Sequence, residues 1–184
     1  MTQPPRSARC VRGRLGAPLA IAQDDTVMVG GEAMYPSMDI VDNAVNSANH
    51  TTLVAAVQAA GLVETLKSDG PFTVFAPVND AFENLPEGTV ETLLRPENKG
   101  RLTAVLTYHV VPGRLGFEAL AERIRDGGGQ ALLETASGGT LTARMNGPHN
   151  IVVTDANGGT ASVSTYDVYQ SNGVIHVVDA VLLP

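Results

Sequence analysis

The sequence predicts an α+β chain, with its helices first and its strands after them. Three observations carry this. Up to Ile124, apolar residues recur at three- and four-residue spacing, as along one face of a helix. From Ala131 the spacing drops to two, that of strands with one buried face. The stretch Val174 to Leu183 is apolar at nearly every position, which fits a central strand covered on both faces.

The elements follow in order. Residues 1–30 read as a tail, with Gly30-Gly31 as a flexible joint to a single domain at 31–184. Ser37 is placed to cap a helix whose apolar face is Ile40, Val41, Ala44 and Val45. Thr51 or Thr52 is placed to cap a second, with Leu53, Val54, Val57 and Ala60 on its face and Gly61 at its end. Gly70-Pro71 breaks the chain before a short buried strand, Phe72 to Phe75, that Pro77 ends. Asn79 opens a helical turn through Phe82, and Val90, Leu93 and Leu94 mark a further piece before Pro96. Leu102, Val105 and Leu106 run on helical spacing into Tyr108-His109-Val110-Val111, closed by Pro112-Gly113. An amphipathic helix spans Phe117 to Ile124, and Gly127-Gly128-Gly129 ends it. Two hairpins follow, one around Ser137-Gly138-Gly139 and one around Asp155 to Gly159. Asn172-Gly173 is a turn pair ahead of the final strand.

Composition narrows the partners. The chain has 184 residues, which suits one core, and with no internal repeat or coiled coil it is expected to be monomeric. Aromatics make up only 4% and Trp is absent, so the core must be built from Val, Leu, Ala and Ile. Formal net charge is -7, and Arg6, Arg9, Arg12 and Arg14 all lie in an acid-free leader. Without residues 1–14 the chain holds 8 basic and 19 acidic side chains, a net of -11. An acidic body argues against nucleic acid as a partner and against unassisted docking on anionic lipid. The single cysteine, Cys10, permits no intrachain disulfide. No apolar run reaches the ~18 residues a membrane span needs. After the arginines, Leu15 to Ala22 reads as a shortened export signal, with cleavage expected near Gln23.

Two segments go beyond pattern. Gly70 to Phe82 reads GPFTVFAPVNDAF, and Asn172 to Pro184 reads NGVIHVVDAVLLP, with Tyr108-His109-Val110-Val111-Pro112-Gly113 between them. Their order and spacing resemble the fasciclin (FAS1) family, from about Met34 to Pro184, and its small bacterial single-domain secreted members in particular. Val78 stands where the family more often has Thr, which weakens local helix capping beside Asn79. The resemblance implies a FAS1 fold: a compact β wedge of mixed strands with several helices packed on one side. It implies an exported protein, extracellular or periplasmic, that serves cell adhesion by binding a surface or matrix protein or glycan. In animal relatives the Tyr-His segment and nearby aliphatic residues have been proposed as integrin contacts; here the candidate binding residues are Tyr108, His109 and Arg114, with the hairpin tips as the alternative surface.

The same motifs have a packing role. Phe72, Phe75 and Phe82 are among the few large side chains available to a core, and Asn79 and Asp80 sit where a helix start needs side-chain oxygens. His176 and Asp179 belong to the second segment, and His109 and His176 each lie inside an apolar run. Catalysis lacks a constellation. Asp80 as a general base has no accompanying nucleophile, no Gly-x-Ser-x-Gly elbow occurs, and the three-glycine run follows a helix instead of opening one. The four histidines show no short metal-ligand spacing, and Asp155-Ala156-Asn157-Gly158 lacks the later Glu of a calcium loop. The expectation is a non-enzyme without metal or cofactor. The alternative function is a non-catalytic periplasmic carrier of a small ligand or lipid, held in a groove between helices and sheet.

Overall fold

A computed structural model describes residues 26–184; the leader, Cys10 and the cleavage site expected near Gln23 lie outside the described residues. The described residues open on a hairpin, β1 (Val27–Val29) and β2 (Glu32–Met34). Gly30-Gly31 is therefore a turn, not a joint. Its φ angles of 64° and 85° are the left-handed pair that a two-residue hairpin requires. Val29 and Met34 are buried in the core, so packing begins on the N-terminal side of Gly31.

Helices α1 (Ile40–Asn46), α2 (Thr51–Ala60) and α3 (Val63–Lys67) follow, then strand β3 (Phe72–Pro77). The cap of α1 is Asp39 and not Ser37: the helix starts at Ile40, and the Asp42 N–H donates to Asp39 Oδ1 at 2.8 Å. Lys67 pairs with Asp42 at 2.6 Å and Asp39 at 3.6 Å, tying the end of α3 to the start of α1. Next come α4 (Asn79–Glu83), α5 (Thr89–Leu94), α6 (Lys99–Tyr108), β4 (Val110–Pro112) and α7 (Phe117–Asp126). The rest is strand: β5 (Gln130–Glu134), β6 (Thr140–Met145), β7 (Ile151–Thr154), β8 (Thr160–Gln170) and β9 (Gly173–Val178). Both expected hairpins form, as β5–β6 and β7–β8.

The large sheet has the order β4-β3-β9-β8-β7-β6-β5. Its pairings are antiparallel except β3 with β9, which run parallel. Every residue of β9 is buried, as expected for a strand flanked by neighbours and covered on both faces. It is shorter than its apolar run. At Asp179 the chain leaves the ladder, exchanging backbone and carboxylate bonds with Ser162, and Leu182 folds back to full burial. Gly173 opens β9 where a Cβ would lie 2.2 Å from the Phe72 carbonyl oxygen, so no larger residue fits that pairing.

Side-chain alternation along β3 and β9 separates two cores. Val74, Ala76, Ile175 and Val177 face α1, α2 and α6. Phe75 and Val178 face the other way, into a core with Leu133, Leu141, Ile151 and Val153 from β5–β7 and Leu120 and Ile124 from α7. The sheet curls around this second core far enough for the Ala136 N–H to bond the Val110 carbonyl, bringing its two edges together at one end. The result is the expected α+β wedge. Among the described residues no helix is long and apolar enough to cross a membrane.

Candidate functional site

The Tyr-His segment ends α6. Leu102, Val105, Leu106 and Tyr108 share the buried face of that helix, which draws Tyr108 down to 1% exposure. Its ring packs on Gly139, where a Cβ would come within 2.4 Å of it. Its hydroxyl donates to the Thr140 carbonyl at 2.9 Å and accepts from the Ala156 N–H at 3.1 Å. His109 is equally enclosed. Leu182 N–H donates to Nε2 at 3.0 Å, so the proton of the neutral ring sits on Nδ1 and goes to the Val105 carbonyl at 2.8 Å. Burial lowers its pKa to about 4, against the pull of that carbonyl and of Asp155. Asp155 completes the clasp: Oδ1 accepts from Asn157 and Gly159 N–H, both at 2.8 Å, and Oδ2 from Leu183 N–H at 3.1 Å. Together these side chains fasten the β7–β8 turn and the segment after β9.

Tyr108 and His109 thus point inward, and of the three candidate binding residues only Arg114 is exposed. The three do not share a surface. The reason was visible in the spacing of Leu102, Val105 and Leu106, which carries Tyr108 onto their face. The Asp155 turn is a hairpin fastener, with its carboxylate already used by three backbone amides. Among the described residues no group of three His, Cys, Asp or Glu side chains is placed to hold a metal ion.

The first motif is core and cap. Phe75 and Phe82 are buried at 0% and 8% exposure, and Phe72 is half-buried. Asn79 does not cap its own helix. The N-cap of α4 is Val78, which offers no side-chain acceptor. Asn79 instead reaches α2: its Oδ1 accepts from Thr52 N–H at 3.1 Å and Thr51 Oγ1 at 3.3 Å, and its Nδ2 donates to the Ala48 carbonyl at 3.0 Å. Neither threonine caps α2 with its own side chain. Asp80 is exposed in the first turn of α4 and caps no amide. Asn79→Ala is expected to cost about 1 kcal/mol, the loss of one cap, with Thr52→Ala near neutral; urea melts of the two variants check this. In the second motif His176 is fully buried, with Nε2 donating to the Leu115 carbonyl at 2.7 Å, and Asp179 is exposed apart from its bond to Ser162.

Two features were not anticipated. Asn43, on the apolar side of α1, bonds both backbone groups of Tyr35 and the Gln170 side chain, and is fully buried. Asn172 accepts from Ile40 N–H and donates to the Leu66 carbonyl at 2.6 Å, joining α1, α3 and β9. A polar residue within an apolar helical face is the signal that marks Asn43. The second feature is Asp167, at φ 55° on a β8 bulge, whose carboxylate accepts from Phe117 N–H at 2.6 Å and so caps α7 from another element. Beside it Tyr169 is 43% exposed. Its hydroxyl pKa is raised by partial burial first and then by Asp167 and Glu118, against the pull of Arg114. Arg114 is pinned by Nη2 to the Gln170 carbonyl at 3.1 Å. A tyrosine and an arginine are therefore held side by side at the surface.

Between α1–α3 and the β3–α6 region, where the carrier alternative expects a groove, lies a cavity of about 80 Å³. Val41, Leu53, Val57, Leu66, Phe72 and Leu106 are among its walls, and among the described residues no charged side chain lines it.

Comparison with known proteins agrees with the motifs. The model of the fasciclin domain matches residues 48–184. Protein sll1483 of Synechocystis sp. is 45% identical over 176 residues, spanning 92% of this chain and 89% of that protein. Transforming growth factor-beta-induced protein ig-h3 of Sus scrofa is 33% identical over 174 residues, 94% of this chain but 22% of that longer protein. Among solved structures, a FAS1 domain pair from the insect cell adhesion molecule Fasciclin I superposes with a TM-score of 0.71. That match has 18% identity and covers 82% of this chain and 52% of that one.

Proposed function

The chain belongs to the fasciclin domain family, and on that premise we propose that it is an exported, monomeric, non-catalytic adhesion module. Its partner in this reading is a cell-surface or matrix protein or glycan. Relatives support the general role: Fasciclin I is described as a cell adhesion molecule. The observation that carries the reading to a surface is the Arg114–Tyr169 pair. Tyr and Arg dominate binding hot spots because they offer large contact area with a polar handle. Here both are held before any partner arrives, Arg114 by the Gln170 carbonyl and Tyr169 on the strand whose bulge is set by Asp167. The test is a cell-binding assay and a glycan array with Arg114→Ala and Tyr169→Ala. Loss of binding at unchanged urea midpoints is the expected result, and wild-type binding by both variants overturns the assignment of the patch. Export is checked by mass spectrometry of the mature N-terminus after fractionation; an intact leader in the cytosol overturns it.

A second reading, carriage of a small apolar ligand, is favoured by the cavity between helices and sheet. Native mass spectrometry of gently isolated protein tests it, and a clean apo mass counts against it.

A further inference from the structure

We propose that this cavity is a binding site for the hydrocarbon end of an uncharged long-chain alcohol or related neutral amphiphile, an assignment that rests on the second reading above and names its ligand. Three observations select that class.

The first is the wall. Apart from Gln58, Thr65, Thr107 and His109, every lining residue is aliphatic or Phe. Two of those four have no free polar group. Thr107 Oγ1 is bonded to the Thr103 carbonyl at 2.7 Å, and both ring nitrogens of His109 are engaged. Nothing inside can satisfy a buried polar group, so the part of the ligand that enters must be hydrocarbon.

The second is the mouth. Gln58, Thr65 and Ala136 are the exposed members of the lining, which puts the opening between α2, α3 and the β5–β6 turn. Gln58 and Thr65 offer an amide and a hydroxyl there. Among the described residues no lysine or arginine lines the site, and the chain as a whole is acidic. A carboxylate or phosphate head finds no counter-charge among the described lining residues, whereas a hydroxyl finds hydrogen-bond partners.

The third is size. About 80 Å³ is roughly half of the ~150 Å³ apolar void that accepts a benzene. It admits a chain end and leaves the remainder of the molecule along the mouth.

The experiment follows methyl NMR signals of the full chain at pH 8 under xenon pressure, then during titration with 1-octanol and with octanoate. Xenon enters dry apolar cavities of this kind. The expected result is that xenon and octanol shift the same signals, those of Val41, Leu53, Val57 and Leu106. Octanoate is expected to bind roughly tenfold more weakly or worse, because its charge has no partner at the mouth. Ala44→Leu places a larger side chain in the cavity and is expected to weaken octanol roughly tenfold or more. If that variant does not fold, the xenon and octanoate arms decide on the unaltered chain. Shifts confined to Leu120, Leu133 and Leu141 of the other core, or no shifts, overturn the site. Octanoate binding as tightly as octanol overturns the ligand class. Octanol binding that is lost in Ala44→Leu, together with a clean apo mass from cells, upholds the site and rejects carriage. A bound mass retained by Ala44→Leu upholds carriage and rejects this cavity.

Discussion

Lowering the pH from 7.5 to 4.5 is expected to destabilise the protein by more than about 2.5 kcal/mol. His50, His109 and His176 are all buried, and burial lowers the pKa of each from 6.5. The opposing pulls are weaker: the Ala76 carbonyl at His50, Val105 and Asp155 at His109, Leu115 and Asp167 at His176. Above pH 6.5 neither folded nor unfolded chain holds these protons, and stability is complete. Below it the unfolded chain takes up protons that the folded chain refuses, so stability falls until the folded pKa is reached. For His109 that point is about 4. A shift of that size corresponds to roughly 3 kcal/mol in all, of which about 2.5 is lost by pH 4.5, and the other two histidines act in the same direction. Small domains hold only about 5–15 kcal/mol in total. Urea melts across pH 4.5–7.5 give the answer: the stability should fall with a slope steeper than one histidine supplies, about 1.4 kcal/mol per pH unit. A midpoint that does not move over this range would show that the rings accept protons in place.

Tyr108→Ala is expected to remove about 3–5 kcal/mol, the range for a buried aromatic cut back to Ala. The void would open against Gly139, and the Thr140 carbonyl and Ala156 N–H would lose their partner. Tyr108→Phe keeps the ring and isolates the hydrogen bonds, with about 1–3 kcal/mol expected from two unpaired backbone groups. Thermal melts of both variants rank them. The order matters for reading any binding assay, because a Tyr108→Ala variant that fails in it would have lost its fold. Equal stability of Tyr108→Ala and the parent would return Tyr108 to the list of surface contacts.

Local chemistry wrote most of the fold into the sequence. Ser137-Gly138-Gly139 and Asp155 to Gly159 are turns whose flanking residues alternate, and both became hairpins. The helical spacing from Ile40 to Ile124 became seven helices. What stayed hidden depends on partners far along the chain. Asn79 caps a helix that begins 28 residues earlier, at Thr51. Asp167 caps α7 from 50 residues beyond it. Neither contact leaves a trace in local spacing. The candidate site divided on the same line. The motifs identified the family, yet Tyr108 and His109 proved to be interior. The Arg114–Tyr169 pair emerges only when a loop before α7 and a strand near the end of the chain are set side by side. The cavity likewise has walls from α1 to the β5–β6 turn, and no stretch of sequence contains it.

The parallel pairing of β3 with β9 has a consequence for how the molecule is made. The two partners are separated by roughly a hundred residues. Until β9 exists, β3 has only the three-residue β4 beside it, and the helix-covered core lacks Ile175 and Val177. Contacts this distant make folding slow, in the millisecond-to-second class and not the microsecond class of helical bundles. During synthesis the helices therefore emerge before the strand that completes their core, and that core waits on the insertion of β9. Such a delay is an opening for whatever handles unfolded chains: a translocation channel that threads them or a chaperone that shields their bare strand edges.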